Sequence, residues 1–341
     1  MMKIFFFTAI IFTSSSLIAQ NHNREFEVIL PETKISGSFY NRLIFFDART
    51  DTTQMGIVQT GAFNRKANVV AKTPLRLQLN ILMNALVDNT AKDGELLLQL
   101  RQISFAEIIG AVSEKGYFYF RAKLYAKSGQ TYLPLADIDT AIILKSSWDV
   151  TRGLFKNGSK LISSFISNSL LQTPSTAGSM LFSDVVNIDS IEKATLKIYT
   201  DTTLQNGIYL TWNSFKNQWP DKAVLSADIK NGLLKSVKIA GEENKQEKIK
   251  SKNVYAVVYN GQPFIATDYG FYPIEKRKDD FFFQGKAKVT ANTGNVIAAS
   301  FFFGIIGGLL ASNAEAAFDM KIDHLNGGFI RLREIKTVGT Q

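Results

Sequence analysis

The chain has no cysteine among its 341 residues, which rules out a disulfide framework and a lipid-modified cysteine. It has only two histidines, His22 and His324, so a Ser-His-acid triad or a multi-histidine metal centre has almost nothing to draw on. No glycine-rich phosphate loop qualifies: Gly304, Gly307 and Gly308 lie inside an apolar run and lack the Lys-Ser/Thr pair of such a loop. The basic residues form no stripe and no nucleic-acid motif, so nucleic acid is not an expected partner. No apolar run reaches the about twenty residues that a spanning helix needs, and no internal repeat is evident. Catalytic residues, cofactors and metal ligands are therefore all expected to be none.

What is present begins with the leader. Lys3 is followed by an apolar core over 4–12, then Ser14, Ser15 and Ser16, then Leu17-Ile18-Ala19 before Gln20, the order of a secretory signal peptide. Residues 1–19 are expected to be that signal, with cleavage after Ala19. The mature protein would then be exported to the periplasm, to an outer-membrane-associated position or out of the cell. With 45% hydrophobic and 12% aromatic residues there is material for two cores. The net charge of +9 suits an anionic partner or surface. The densest basic clusters, 245–252 and 276–278, are interleaved with or bordered by Glu or Asp, as on an ordinary solvated face.

Patterning divides the mature chain. Leu43-Ile44-Phe45-Phe46 before Asp47 reads as a buried strand. Pro74 opens a helix with apolar residues Leu75, Leu79, Leu82, Met83 and Leu86. Strands are predicted over 96–103, 117–125 and 138–144. In the second of these, Tyr117, Tyr119 and Arg121 alternate with Phe118, Phe120 and Ala122, which predicts one face in the core and one nearer water. Asp149 is expected to cap a helix striped by Leu154, Leu161, Ile162, Phe165, Ile166 and Leu170. Residues 20–172 thus form an α/β domain and 173–179 a linker, leaving 180–341 as a β-rich domain. Strands are expected there over 194–199, 207–212, 233–239, 254–259, 263–267, 271–274 and 280–285, in an antiparallel sheet or small open barrel. Asn260-Gly261 marks a two-residue hairpin, and Asn326-Gly327-Gly328 a closing one. The fold class is α+β: an α/β sandwich of a mixed sheet with two helices, followed by a mainly antiparallel β-rich domain.

Candidate sites are few. The run 296–311 is uncharged and too short for a confident span, and Gly304 and Gly308 would bare one side of a helix to close approach. Its residues Phe301, Phe302, Phe303, Gly304, Ile305, Ile306, Gly307 and Gly308 are the expected contacts to a membrane or partner; otherwise the run packs internally. Asp323 beside His324 is expected to be a surface pair. Asp47, Asp51, Asp137 and Asp139 are the carboxylates from which a glycan hydrolase would take its acid and base. Asp47 and Arg49 form either a local ion pair or a turn.

The buried strand LIFFDART, the helix after Pro74, the strand LLLQLRQI, the aromatic strand YFYFRAKLYAK and the closing helix give the first half a pattern that resembles the α/β domain of YajG-like envelope lipoproteins. The chain departs from that family in lacking the lipidated cysteine. Its second half, with GIYLTWNSFKNQWP and VYAVVYNGQPFIATDYGFYPI, is similar to uncharacterised secreted proteins of Bacteroidota. The resemblance implies an envelope location and a noncatalytic role, and it carries no site residues. The expected function is an accessory or binding module that meets an envelope protein or an anionic membrane surface. A secreted hydrolase and a self-associating structural subunit are the alternatives.

Overall fold

The computed structural model describes residues 23–60, 65–109, 114–146, 150–175, 177–241, 245–286 and 317–335. The run 296–311, with its proposed contacts Phe301 to Gly308, lies outside the described residues, as do the leader, His22 and Asp149.

Strict period-two alternation organises the first half. Strands β1 (Asn23–Phe26), β2 (Arg42–Asp47), β3 (Gly56–Thr60), β4 (Arg65–Ala71), β5 (Glu95–Ile109), β6 (Glu114–Ser128) and β7 (Thr131–Ser146) form one seven-stranded sheet. It is mixed: β1 runs parallel to β4, and both β2 and β3 run parallel to β5, while β5, β6 and β7 are antiparallel. One face presents Leu98, Leu100, Phe105, Phe118, Phe120 and Leu124, all buried under helices α1 (Leu75–Leu86) and α2 (Val150–Ser169). Each fully buried Leu or Phe contributes about 1.5–3 kcal/mol, so this face is the main apolar core of the first half. Pro74 sits at the helix N-cap with φ −48° and ψ 132°, one residue before the first helical position expected for it.

Both parallel partners use the same edge of β5. β2 pairs along 95–100 and β3 at Phe105 and Ala106. Between them a bulge leaves Arg101 unpaired, since Leu100 faces Ala122 and Gln102 faces Arg121. A bulge re-aims its side chain, and here it sets Arg101 on the sheet face opposite the helices.

After α2 come the short helices α3 (Phe182–Val186), α4 (Ile188–Lys193) and α5 (Lys197–Thr200). The strand expected over 194–199 is therefore absent. Its short apolar run, Leu196 and Ile198 with Tyr199, fits one helical turn as well as a strand, and packing of Ile198 in the second core decides for the helix. Strand β8 (Gly207–Tyr209) ends before Trp212, which opens α6 (Trp212–Lys216) behind the Thr211 cap instead of continuing the strand.

A three-stranded antiparallel sheet follows: β9 (Ser226–Lys230), β10 (Leu233–Ala240) and β11 (Gln246–Lys248). The second large sheet is antiparallel throughout, in the order β17 (Phe329–Ile335), β16 (Ala317–Ile322), β15 (Asp280–Gly285), β14 (Gly270–Arg277), β13 (Gln262–Thr267), β12 (Ala256–Tyr259), β8. The Asn260-Gly261 hairpin has φ 51° and 76°, the positive pair that a type I′ turn requires. The fold is α+β with a mixed first sheet and an antiparallel second one, as the patterning predicts.

The outer face of β6 differs from expectation. Tyr117, Tyr119 and Tyr125 are buried, and Arg121 is 7% exposed. Water does not cover this face, because α3, α4 and the β16–β17 hairpin pack on it. Val185 of α3 joins Leu97, Tyr125 and Tyr132 in a small apolar cluster. Gln99 donates to the Val185 carbonyl at 2.8 Å, and Met180 pairs with Tyr132. No helix among the described residues is long and apolar enough to cross a membrane.

Candidate functional site

The covered face of the first sheet holds a buried ionic network. The β5 bulge supplies Arg101, alternation along β6 supplies Tyr119, Arg121 and Lys123, and β7 adds Asp139 directly across from Arg121. Helix α4 contributes Asp189 and Glu192 one turn apart, and the β16–β17 hairpin contributes Asp323 and His324.

Glu192 is the hub. Arg101 donates to it through both terminal nitrogens, at 3.0 and 2.8 Å, and also pairs with Asp189. Lys123 Nζ donates to Oε1 at 2.7 Å, and His324 Nε2 lies 3.1 Å from Oε2. Burial opposes ionisation of Glu192, but the hydrogen bonds from His324 and Arg101 and the Arg101 charge hold its carboxyl well below the usual range. A second centre joins Arg121 to Asp323 at 2.7 Å and to Asp139 at 3.1 Å. Tyr119 donates its hydroxyl to Asp139. Asp323 is 2% exposed; burial would raise its pKa, yet the Arg121 charge and hydrogen bond keep it lowered. Burial, opposed by the Arg121 charge and reinforced by Asp139, pushes the Tyr119 phenol well above its usual value, and burial pushes Tyr125 up to about 12.

Beside this network a cleft of about 380 Å³ opens between the first sheet and the edge of the second. Arg49, Arg101, Arg121 and Lys321 line it together with Asp51, Asp189, Asp280 and Asp323, and Phe105, Phe282, Ile330 and Leu332 are among its apolar walls. Positive and negative groups balance, and the size is that of a small-molecule site. The Nε of Arg121 has no hydrogen-bond partner among the described residues.

Asp323 and His324 are a correction. Expected as a surface pair, they are 2% and 5% exposed, because their hairpin is pressed against the outer face of β6. The acidic candidates separate. Asp47 forms a two-point ion pair with Arg49, at 2.7 and 2.8 Å. Asp51 lines the cleft and accepts from Thr53, while Asp137 borders a different, smaller pocket and Asp139 belongs to Arg121. These four carboxylates line no common cleft. Glu192 and Asp189 carried no sequence signal, as an acid pair spaced three apart on a short helix is ordinary surface.

Asp189, Glu192 and His324 bring three ligand atoms within 4.8 Å of one another, a spacing a divalent cation could use. Arg101 and Lys123 already neutralise the two carboxylates, so a further cation would have to displace them. The chemistry of this set is that of an ion-pair network.

The chain matches no family model and no curated protein. Among solved structures, a Xanthomonas campestris protein described under the family DUF330 is 11% identical with a TM-score of 0.28, covering 42% of this chain and 95% of its own. An uncharacterized protein of known crystal structure is 14% identical with a TM-score of 0.22, covering 43% of this chain and 97% of its own. At these TM-scores the likeness assigns neither fold nor function.

Proposed function

We propose that this protein is an exported cell-envelope module that binds a partner without transforming it, built as two domains over 20–172 and 180–341. The leader pattern over 1–19 supports the location. The observation that carries the noncatalytic role is the pairing of the buried acids with fixed cations. A general acid needs a carboxyl raised toward the working pH, whereas Glu192 and Asp323 are lowered and tied to Arg101, Lys123, His324 and Arg121. Groups fixed in this way hold a surface in shape. The pairing of Asp139 with Arg121 and of Asp47 with Arg49 supports this reading over the hydrolase one.

Fractionation of cells making the native chain, with N-terminal sequencing of the product, tests the location. A mature N-terminus at Gln20 in the periplasmic or outer-membrane fraction is expected; an uncleaved chain in the cytosol would overturn it. Incubation with envelope polysaccharides tests the role. No release of reducing ends is expected, and release abolished by Asp51→Asn or Asp139→Asn would establish an enzyme.

A further inference from the structure

Strand β7 ends the order of the first sheet, so one of its edges faces away from β6. It is 16 residues long, and natural edges are guarded by proline, bulges or cover. The guards here sit at one end. Met180 bridges Tyr132 through two backbone hydrogen bonds, at 2.8 and 3.0 Å, then comes Pro134, and an extra residue at Leu135 shifts the register with β6. From Ala136 to Ser146 the pairing with β6 is unbroken and the strand has no proline or glycine. Among the described residues no strand pairs with the outer edge of this stretch. Tyr132 turns its N–H and C=O away from β6, toward Met180, and stands opposite Lys127. Every second residue of β6 from Lys127 back to Lys115 shares that phase. Their partners Asp137, Asp139, Ala141, Ile143 and Lys145 therefore also aim N–H and C=O outward, as a template for another strand.

The side chains of this edge are complementary to themselves. About a two-fold axis through Ala141, an antiparallel second copy sets Asp137 opposite the partner's Lys145, Ile138 opposite the partner's Leu144 and Asp139 opposite the partner's Ile143. Asp137 and Lys145 are exposed, and neither forms an ion pair among the described residues. Lys123, across from Asp137, goes to Glu192, and Lys145 stands across from Lys115. Like charges opposed in this way destabilise a sheet, and a carboxylate from the second copy offsets them. An axis at Ile142 would set Lys145 against Asp139, which Arg121 and Tyr119 already hold, so the Ala141 axis is the one that joins free charges. On the opposite face Ile138, Ile142 and Leu144 pack against the main core and stay half-buried. The second copy continues that apolar layer, and it covers Ile143, which is 36% exposed.

We infer that the protein forms a two-fold dimer in which β7 pairs antiparallel with β7 of a second copy, centred on Ala141, so that the two first sheets become one. The inference goes beyond the binding role above and does not depend on it.

The test is sedimentation equilibrium of the purified protein, and the wild type is expected at twice the chain mass. Asp137→Lys or Lys145→Asp opposes like charges at both ends of the paired strands and should raise the dimer Kd about tenfold. Asp137→Lys/Lys145→Asp should restore wild-type association, because both pairs return with their signs exchanged. Ala141→Pro removes an outward N–H that β6 does not use, so it should give a monomer with a urea midpoint near that of the wild type. A monomeric wild type, a dimer that tolerates Ala141→Pro, or a double variant no tighter than the single ones would overturn the inference. Should Ala141→Pro unfold, the charge-exchange set decides by itself. A monomer recovered from the envelope refutes this interface and leaves the envelope reading standing.

Discussion

At the scale of single residues, the chain places charge where water does not reach. Arg121 and Asp323 are 7% and 2% exposed, and neither is retained for a cheap surface attraction. Removing one partner leaves the other buried and uncompensated. Asp323→Asn should therefore cost about 3 kcal/mol, the lower end for a broken buried pair because Asp139 still holds Arg121. Urea unfolding measures this. The same groups set an acid limit. Carboxyls held below their usual value in the folded state stabilise it fully above the ordinary carboxylate range near 4, and that contribution is lost as pH falls through the folded values. The urea midpoint should hold from neutrality to about pH 5 and fall steeply below it, and Asp323→Asn should flatten that acid slope. An unchanged slope would mean that Asp323 has an ordinary pKa. None of this was legible in Asp323-His324, because a dipeptide at a turn looks the same whether its hairpin faces water or another sheet.

At the scale of elements, backbone approach explains what patterning does not. Gly56 opens β3 with φ +103°, and a Cβ there would stand 2.0 Å from the Phe105 carbonyl oxygen of β5. The parallel β3–β5 pairing, and the cleft wall it forms, depend on the missing side chain. Gly56→Ala should cost about 3 kcal/mol or more, since strained φ and a backbone clash add. Gly261, with φ +76° but open space around it, is the comparison: Gly261→Ala should cost only about 1 kcal/mol. Equal urea midpoints for the two variants would contradict the assigned contact. Asn260-Gly261 announces its turn by residue type. Gly56 announces nothing, because its neighbour lies on a strand far along the chain.

At the scale of the whole molecule, the halves have separate apolar clusters, one drawn from 26–170 and another from 198–329. Glu192 bonds backward to Arg101 and Lys123 and forward to His324, 132 residues away, and so ties the two together. Calorimetry should show one transition for the wild type. Glu192→Ala, which strands Arg101, Lys123 and His324 without their shared acceptor, should split it into two. One transition merely shifted in temperature would place the coupling in the apolar contacts of Leu97, Tyr125 and Val185.

The sequence by itself determined the local geometry: period-two alternation made the long strands, three-four spacing made α1 and α2, and Asn260-Gly261 closed its hairpin. Each rests on neighbours within a few residues, whose relation is fixed by backbone periodicity. It could not determine what covers the outer face of β6, where water was expected and α3, α4 and the last hairpin are found. It also left open whether a run such as Leu196 to Tyr199 becomes strand or helix. Asn326 approaches Tyr119 across 207 residues, and no periodicity reports a contact of that separation. Only tertiary packing decided which carboxylates Arg101, Arg121 and Lys123 found.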